Sequence, residues 1–265
     1  MGMIDPDRLL LALDFDGTLS PIVEDPENAW IHPGSLRALR RLGPVVGTIA
    51  IITGRPVDQV RRLGRFEEGP GLESLIVCGQ YGAERWDAES GEVTRPERPA
   101  AVDDLARRLP DWLARHGAAA VRIEDKRLAL ALHTRGLTSV ALADLTPQVE
   151  QLAAEFGLVV EPGREVLELR RPGTDKGRTL REVVAARSPG AVIYAGDDLG
   201  DLPAFREASA MRQEGIEVTL VCSASDEQDA LVALSDVVLD GPDAVAAWLA
   251  DLADRLVPEG SWRAD

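Results

Sequence analysis

Leu9-Leu10-Leu11-Ala12-Leu13-Asp14-Phe15-Asp16-Gly17-Thr18-Leu19 sets five apolar residues directly before two aspartates and a glycine. A short unbroken apolar run suits a strand buried on both faces, as in a parallel sheet covered by helices. In open α/β sheets the carboxyl ends of such strands face the ligand crevice. If the strand persists through Asp16, its two-residue period aims Asp14 and Asp16 the same way. Two carboxylates so placed repel each other unless a cation or a shared proton relieves them. The plainer alternative makes Asp16-Gly17 a turn and Asp14 a helix cap.

Outward from this segment the signals alternate. Val45–Ile52 is a second apolar run, rich in β-branched residues, and Leu75–Cys78 is a third. Leu36, Leu39 and Leu42 recur at helical spacing after Pro33. Val57, Val60 and Leu63 do so after Pro56, a residue favoured where helices start. Strand, helix, strand, helix, strand predicts an α/β fold with a doubly wound, Rossmann-like parallel sheet. The rhythm returns late, with a helix at Leu180–Ala186, strands at Ala191–Tyr194, Val218–Val221 and Asp236–Leu239, and a closing helix at Ala244–Leu256.

Between these halves it breaks. The Pro-rich, charged stretch Arg95–Pro99 reads as a linker. Helical spacing of Val102, Leu105, Leu109 and Leu113 precedes strand-like runs at Val121–Ile123 and Leu128–Leu132. A helical stretch through Val140–Phe156 then precedes runs at Leu158–Val160 and Val166–Leu169, and Pro172-Gly173 closes the segment. Helix-strand-strand twice over predicts an α+β domain with an antiparallel sheet. It would be inserted as residues 98–172 between core segments 1–97 and 173–265.

The chain of 265 residues carries 29 Lys and Arg against 45 Asp and Glu, a net charge of −16. A mean field of that sign repels phosphate backbones and anionic lipid, so neither nucleic acid nor a membrane is an expected partner. Cys78 and Cys222 alone make no disulfide framework or cysteine zinc site, and they suit a reducing compartment. The Leu9–Leu13 run is too short for a signal-peptide core, and no run nears the ~18 apolar residues of a membrane helix. A cytoplasmic location is expected.

Three further motifs join the first. Gly196-Asp197-Asp198-Leu199-Gly200-Asp201 follows the apolar run Ala191–Ala195 and places three more carboxylates at a strand end. Alone it reads as a solvated turn; beside Asp14 and Asp16 it reads as a cation site, and hard oxygen donors suit Mg²⁺. Ile51-Ile52-Thr53-Gly54-Arg55 ends a strand just before a helix, where a hydroxyl and backbone amides can cradle phosphate, although a threonine cap is commonplace. Gly173-Thr174-Asp175-Lys176-Gly177 puts a lysine at a loop-to-helix junction.

The order of these four motifs resembles that of haloacid-dehalogenase-like phosphatases. The resemblance extends to trehalose-6-phosphate phosphatases through Leu13–Ala29, Ile123-Glu124-Asp125-Lys126, Leu132-His133-Thr134-Arg135 and Pro162–Arg170. It implies a haloacid-dehalogenase-like core with an inserted cap domain. It also implies Mg²⁺-dependent hydrolysis of trehalose 6-phosphate through an aspartyl-phosphate, in trehalose biosynthesis. Asp14 would be the nucleophile and Asp16 the general acid and base. Thr53 and Lys176 would bind the phosphoryl group, with Gly54 and Arg55 also at the substrate. Asp14, the Asp16 carbonyl and Asp197 would hold Mg²⁺, with Asp198 and Asp201 orienting them. Glu124, Lys126, His133, Arg135 and Glu168 of the insertion would contact the sugar. Read from the residues alone, Glu124 and Lys126 equally form a surface ion pair, and His133 is equally a half-buried histidine.

The resemblance makes a sugar phosphate the expected partner and a trehalose-phosphate synthase a pathway neighbour. Two rivals stay open: a phosphatase for another sugar phosphate, such as sucrose phosphate or mannosylglycerate phosphate, and a silent sugar-phosphate-binding regulatory module. Gln80-Tyr81, Gly200 and Leu202 depart from the family pattern, which bears on substrate identity more than on reaction type.

Overall fold

The computed structural model describes residues 5–134, 139–163, 166–224 and 229–258. In chain order its elements are β1 (Leu9–Leu13), α1 (Pro33–Leu42), β2 (Thr48–Ile52), α2 (Val57–Gly64), β3 (Leu75–Gly79), β4 (Glu84–Asp87) and β5 (Val93–Thr94). Next come α3 (Ala100–Arg115), β6 (Arg122–Asp125), β7 (Ala129–His133), α4 (Ser139–Glu155), β8 (Val159–Gly163) and β9 (Val166–Arg170). The chain ends with α5 (Lys176–Arg187), β10 (Ala191–Gly196), α6 (Leu202–Gln213), β11 (Glu217–Ala224), α7 (Asp229–Val232), β12 (Val237–Asp240) and α8 (Gly241–Leu256). These elements form two compact units, Met1–Arg95 with Asp175–Asp265, and Pro96–Thr174.

The first unit is built on an eight-stranded sheet in the order β12-β11-β10-β1-β2-β3-β4-β5. The strands from β12 to β3 are parallel, and β4 and β5 add an antiparallel hairpin at one edge. β1 is buried on both faces. Leu9, Leu11 and Leu13 join the core beneath α1, α2 and α8, while Leu10 and Ala12 join the core beneath α5 and α6. Each such leucine contributes about 1.5–3 kcal/mol of burial, which is why an unbroken apolar run marks this position. From β1 the chain winds outward to β2 and β3, then returns to β10 on the other side of β1. That reversal makes the carboxyl edge between β1 and β10 the ligand crevice of this topology.

Three features go beyond the sequence reading. The β4–β5 hairpin was not expected, because Glu84 is a charged residue in a strand and its buried carboxylate has a tertiary partner, the backbone N–H of Val57. Helix α6 was not expected either, since the turn residues around Pro203 hide its start. Its buried Ala204, Phe205, Ala208 and Met211 do recur at helical spacing. The third is β2, which starts at Thr48 rather than Val45, because the amides of Val45 and Val46 turn back to the Leu42 carbonyl.

The second unit is a four-stranded antiparallel sheet, β6-β7-β9-β8. Leu130, Leu132, Leu167 and Leu169 pack one of its faces against Leu105, Leu109, Val149 and Leu152 of α3 and α4. Among the described residues, no helix is long and apolar enough to cross a membrane.

Candidate active site

Asp14 follows β1 directly, and its amide bonds to the Ala195 carbonyl of β10 at 2.8 Å. This link across the switch point draws the two acidic loops together. Gly17 takes φ +74°, and a Cβ there would stand 2.0 Å from Asp197 Oδ2. Only glycine permits that approach. Ser223, on β11, donates its hydroxyl to the Gly17 carbonyl at 2.6 Å and fastens the same turn.

Lys176 opens α5, whose first turn is capped by Asp175. Its ammonium bridges Asp14 Oδ1 at 2.7 Å and Asp201 Oδ1 at 2.8 Å. Asp201 is fully buried. Its Oδ1 also accepts the Tyr194 hydroxyl at 2.6 Å, and its Oδ2 accepts the amides of Asp197 and Asp198 at 3.1 and 3.3 Å. Asp198 Oδ1 in turn accepts the Gly200 amide at 2.9 Å. One buried carboxylate thus ties the lysine to the loop that carries Asp197.

Electrostatics at this edge are unbalanced. Burial pushes the Asp14 carboxyl well above the usual carboxylate range, against the pull of Lys176. Burial does the same to Asp197, with Asp14 adding to the rise, and it raises Asp198 as well. Burial alone would lower the Lys176 ammonium, but Asp14 and Asp201 overcome it and hold it well above its ordinary value. Among the described residues, Lys176 is the cation facing Asp14, Asp197, Asp198 and Asp201 together. Oxygens of Asp14, Asp197 and Asp201 lie within 4.8 Å of one another, and all three residues are buried. A hard, carboxylate-only donor set with excess negative charge fits a divalent cation.

Asp16 stands apart from this cluster. Arg55 grips it through Nε at 2.6 Å and Nη2 at 2.7 Å, and its Nη1 reaches the Pro26 carbonyl at 2.9 Å. The guanidinium assigned from sequence to substrate is therefore engaged with the aspartate two residues after Asp14. Thr53, 1% exposed, lies just past β2 and accepts the Arg55 amide on its hydroxyl at 3.2 Å. A Cβ on Gly54 would meet the Tyr81 hydroxyl at 2.8 Å. Tyr81 and Gln80 both hold positive φ, 57° and 46°, an arrangement that costs a non-glycine backbone about 1–3 kcal/mol per residue.

In the inserted unit, Lys126 pairs with Glu168 Oε2 at 2.6 Å and His133 with Glu124 Oε2 at 2.7 Å. Register places Glu124 and Glu168 on either side of Ala131, on one face of the sheet. Glu168 is 3% exposed, and its Oε1 has no hydrogen-bond partner among the described residues. Arg135 lies outside the described residues. Sequence reasoning missed the Tyr194 hydroxyl and the Asp16–Arg55 pair. A tyrosine inside the otherwise apolar Ala191–Gly196 strand was the available signal for the first.

The chain is 32% identical over 251 residues to the trehalose-phosphate phosphatase of Mycobacterium tuberculosis (strain ATCC 25618 / H37Rv), covering 92% of this chain and 61% of that protein. The chain spans 16% of the length of one curated relative that it matches and 62% of another. Its fold superposes on the C-terminal domain of Candida albicans trehalose-6-phosphate phosphatase with a TM-score of 0.76 at 21% identity, covering 94% and 92% of the two chains. A haloacid dehalogenase-like hydrolase from Bacteroides thetaiotaomicron gives 0.63 at 17% identity, covering 92% and 98%. The trehalose-phosphatase family profile matches residues 12–237, a span that holds Asp14, Thr53, Lys176 and Asp197, and the chain belongs to that family.

Proposed function

We propose that the chain is a Mg²⁺-dependent phosphatase that converts trehalose 6-phosphate to trehalose and phosphate through an aspartyl-phosphate on Asp14. The observation that carries this reading is the buried Asp14 carboxylate, held on Lys176 at the carboxyl edge of the central strand in a chain of this family. In the first half-reaction an Asp14 oxygen bonds to phosphorus while the bond from phosphorus to the sugar oxygen breaks, and Asp16 gives that oxygen a proton. In the second, Asp16 takes a proton from water as the water oxygen bonds to phosphorus and the Asp14–phosphorus bond breaks. Arg55 holds both Asp16 oxygens, so one of its contacts must open before Asp16 carries a proton. Thr53 and the backbone at Gly54 cradle the phosphoryl oxygens, and Lys176 offsets their charge. Asp14, the Asp16 carbonyl and Asp197 would hold Mg²⁺, with Asp198 and Asp201 orienting them. Bound there, the ion supplies charge neutralisation to the transferring group.

A phosphate-release assay tests the reading on trehalose 6-phosphate, sucrose phosphate, mannosylglycerate phosphate and an aryl phosphate, with Mg²⁺ and with chelator. Expected is Mg²⁺-dependent turnover, fastest on trehalose 6-phosphate. Preference for another sugar phosphate would replace the substrate and keep the reaction. No turnover on any of them, with sugar phosphate still bound, would make the chain a binding module.

Glu124, Lys126, His133 and Glu168 are assigned to the sugar. The buried Glu168 Oε1 supports this, because an acceptor left unpaired inside protein loses stability that a sugar hydroxyl would restore. A charged hydrogen bond of about 1.5–3 kcal/mol means that Glu168→Ala should lower kcat/KM on trehalose 6-phosphate about ten- to a hundredfold. Hydrolysis of a small aryl phosphate should hold its rate. Parallel losses on both substrates, or none on either, would reduce these residues to ion pairs within the sheet.

A further inference from the structure

Among the described residues, Tyr194 is the largest fully buried side chain. It sits in β10 between Ile193 and Ala195, and its ring packs edge-on against Phe205 of α6 at 5.6 Å. Phenylalanine would fill that space and keep that ring contact. The hydroxyl is the one part of the side chain that packing does not explain, and burying it is unfavourable unless it is hydrogen-bonded. It makes that bond to Asp201 Oδ1, the same oxygen that holds Lys176.

We propose that Tyr194 is a positioning residue that sets how Lys176 divides its charge between Asp201 and the site of phosphoryl transfer. This rests on the phosphatase reading above. The ammonium lies between two carboxylates at nearly equal distance, 2.7 Å from Asp14 and 2.8 Å from Asp201. A donor on Asp201 Oδ1 draws off part of that oxygen's charge and weakens its hold on the lysine. The Tyr194 hydroxyl, donating at 2.6 Å, is such a donor. The two amides on Oδ2 keep the carboxylate from turning, so among the described residues the balance at Oδ1 is struck between Tyr194 and Lys176. Without the hydroxyl, Asp201 draws the ammonium back and less of its charge reaches a phosphoryl oxygen.

Tyr194→Phe in the full chain, with Mg²⁺ present, tests this. Losing one hydrogen bond in the network should lower kcat/KM about tenfold. Because Lys176 meets the group common to all substrates, the factor should match for sugar and aryl phosphates. Tungstate, which presents the same oxyanion without turnover, should bind more weakly by a similar factor when titrated calorimetrically. A role in packing alone predicts a lower melting temperature and a smaller active fraction, with tungstate affinity unchanged in the folded protein. That result would overturn the proposal, as would unaltered kinetics, or a loss confined to one leaving group. If the wild-type chain hydrolyses no monoester yet binds tungstate, the phosphatase reading fails while the tungstate deficit of the variant still judges Tyr194. A wild-type chain that neither turns over nor binds tungstate overturns both.

Discussion

Asp14→Asn is expected to remove turnover by more than about a thousandfold while the chain stays folded. The amide matches the carboxylate in shape but cannot attack phosphorus, and neither Asp16 nor Asp201 is free to replace it. Asp16 is clasped by Arg55, and Asp201 already serves four donors. The same substitution carries a stability signature. A carboxyl whose pKa is raised on folding works against the fold once the pH exceeds its ordinary value, because folding must then bury the charge or take up a proton. Burial raises Asp14 in this way, so at neutral pH its charge opposes folding in chelator. Asp14→Asn should therefore melt no lower than wild type in chelator, with Lys176 still paired to Asp201. Millimolar Mg²⁺ should reverse the order by stabilising the wild type more, since a ligand of the folded state adds to its stability. Substantial phosphate release from the variant, with contamination excluded, would remove Asp14 as the nucleophile. A steep fall in its melting temperature in chelator would make Asp14 a structural anchor.

The parts of this site that were legible in the sequence are those carried by single strands. Leu9–Leu13 and Ala191–Ala195 are buried because both of their faces are covered, and the first meets Asp14 directly while the second meets Asp197 after Gly196, so each announces a strand and its reactive end together. What could not be read were partnerships across sequence distance. Arg55 and Asp16 are 39 residues apart, and nothing local tells a guanidinium aimed at substrate from one closed on a carboxylate. Glu84 looks like a surface charge until its carboxylate is found capping the Val57 amide. Glu124 and Lys126 read together as an ion pair, yet each has its partner on another strand, His133 and Glu168. Strand periodicity places a side chain on a face, but only the register between strands selects its neighbour.

Lys176→Met is expected to damage stability and catalysis together, and a second substitution should separate the two. At 4% exposure, Lys176 is the cation that holds Asp14 and Asp201. Its methylene stem has a close apolar equivalent in methionine, so the loss is one of charge. Removing one partner of a buried ion pair costs about 3–5 kcal/mol, because the charge left behind has neither water nor a counterion. The melting temperature should fall by roughly ten degrees in chelator. Mg²⁺ should recover part of that, since a cation among the same carboxylates takes over some of the neutralisation. Activity should fall about a hundredfold or more even with Mg²⁺ saturating, as when a preorganised charge is removed from a transition state. Adding Asp201→Asn removes the surplus carboxylate and should restore most of the melting temperature but none of the rate. Recovery of both together would mean that Lys176 acts only through the fold, whereas restored stability with a rate still missing assigns its charge to the phosphoryl group.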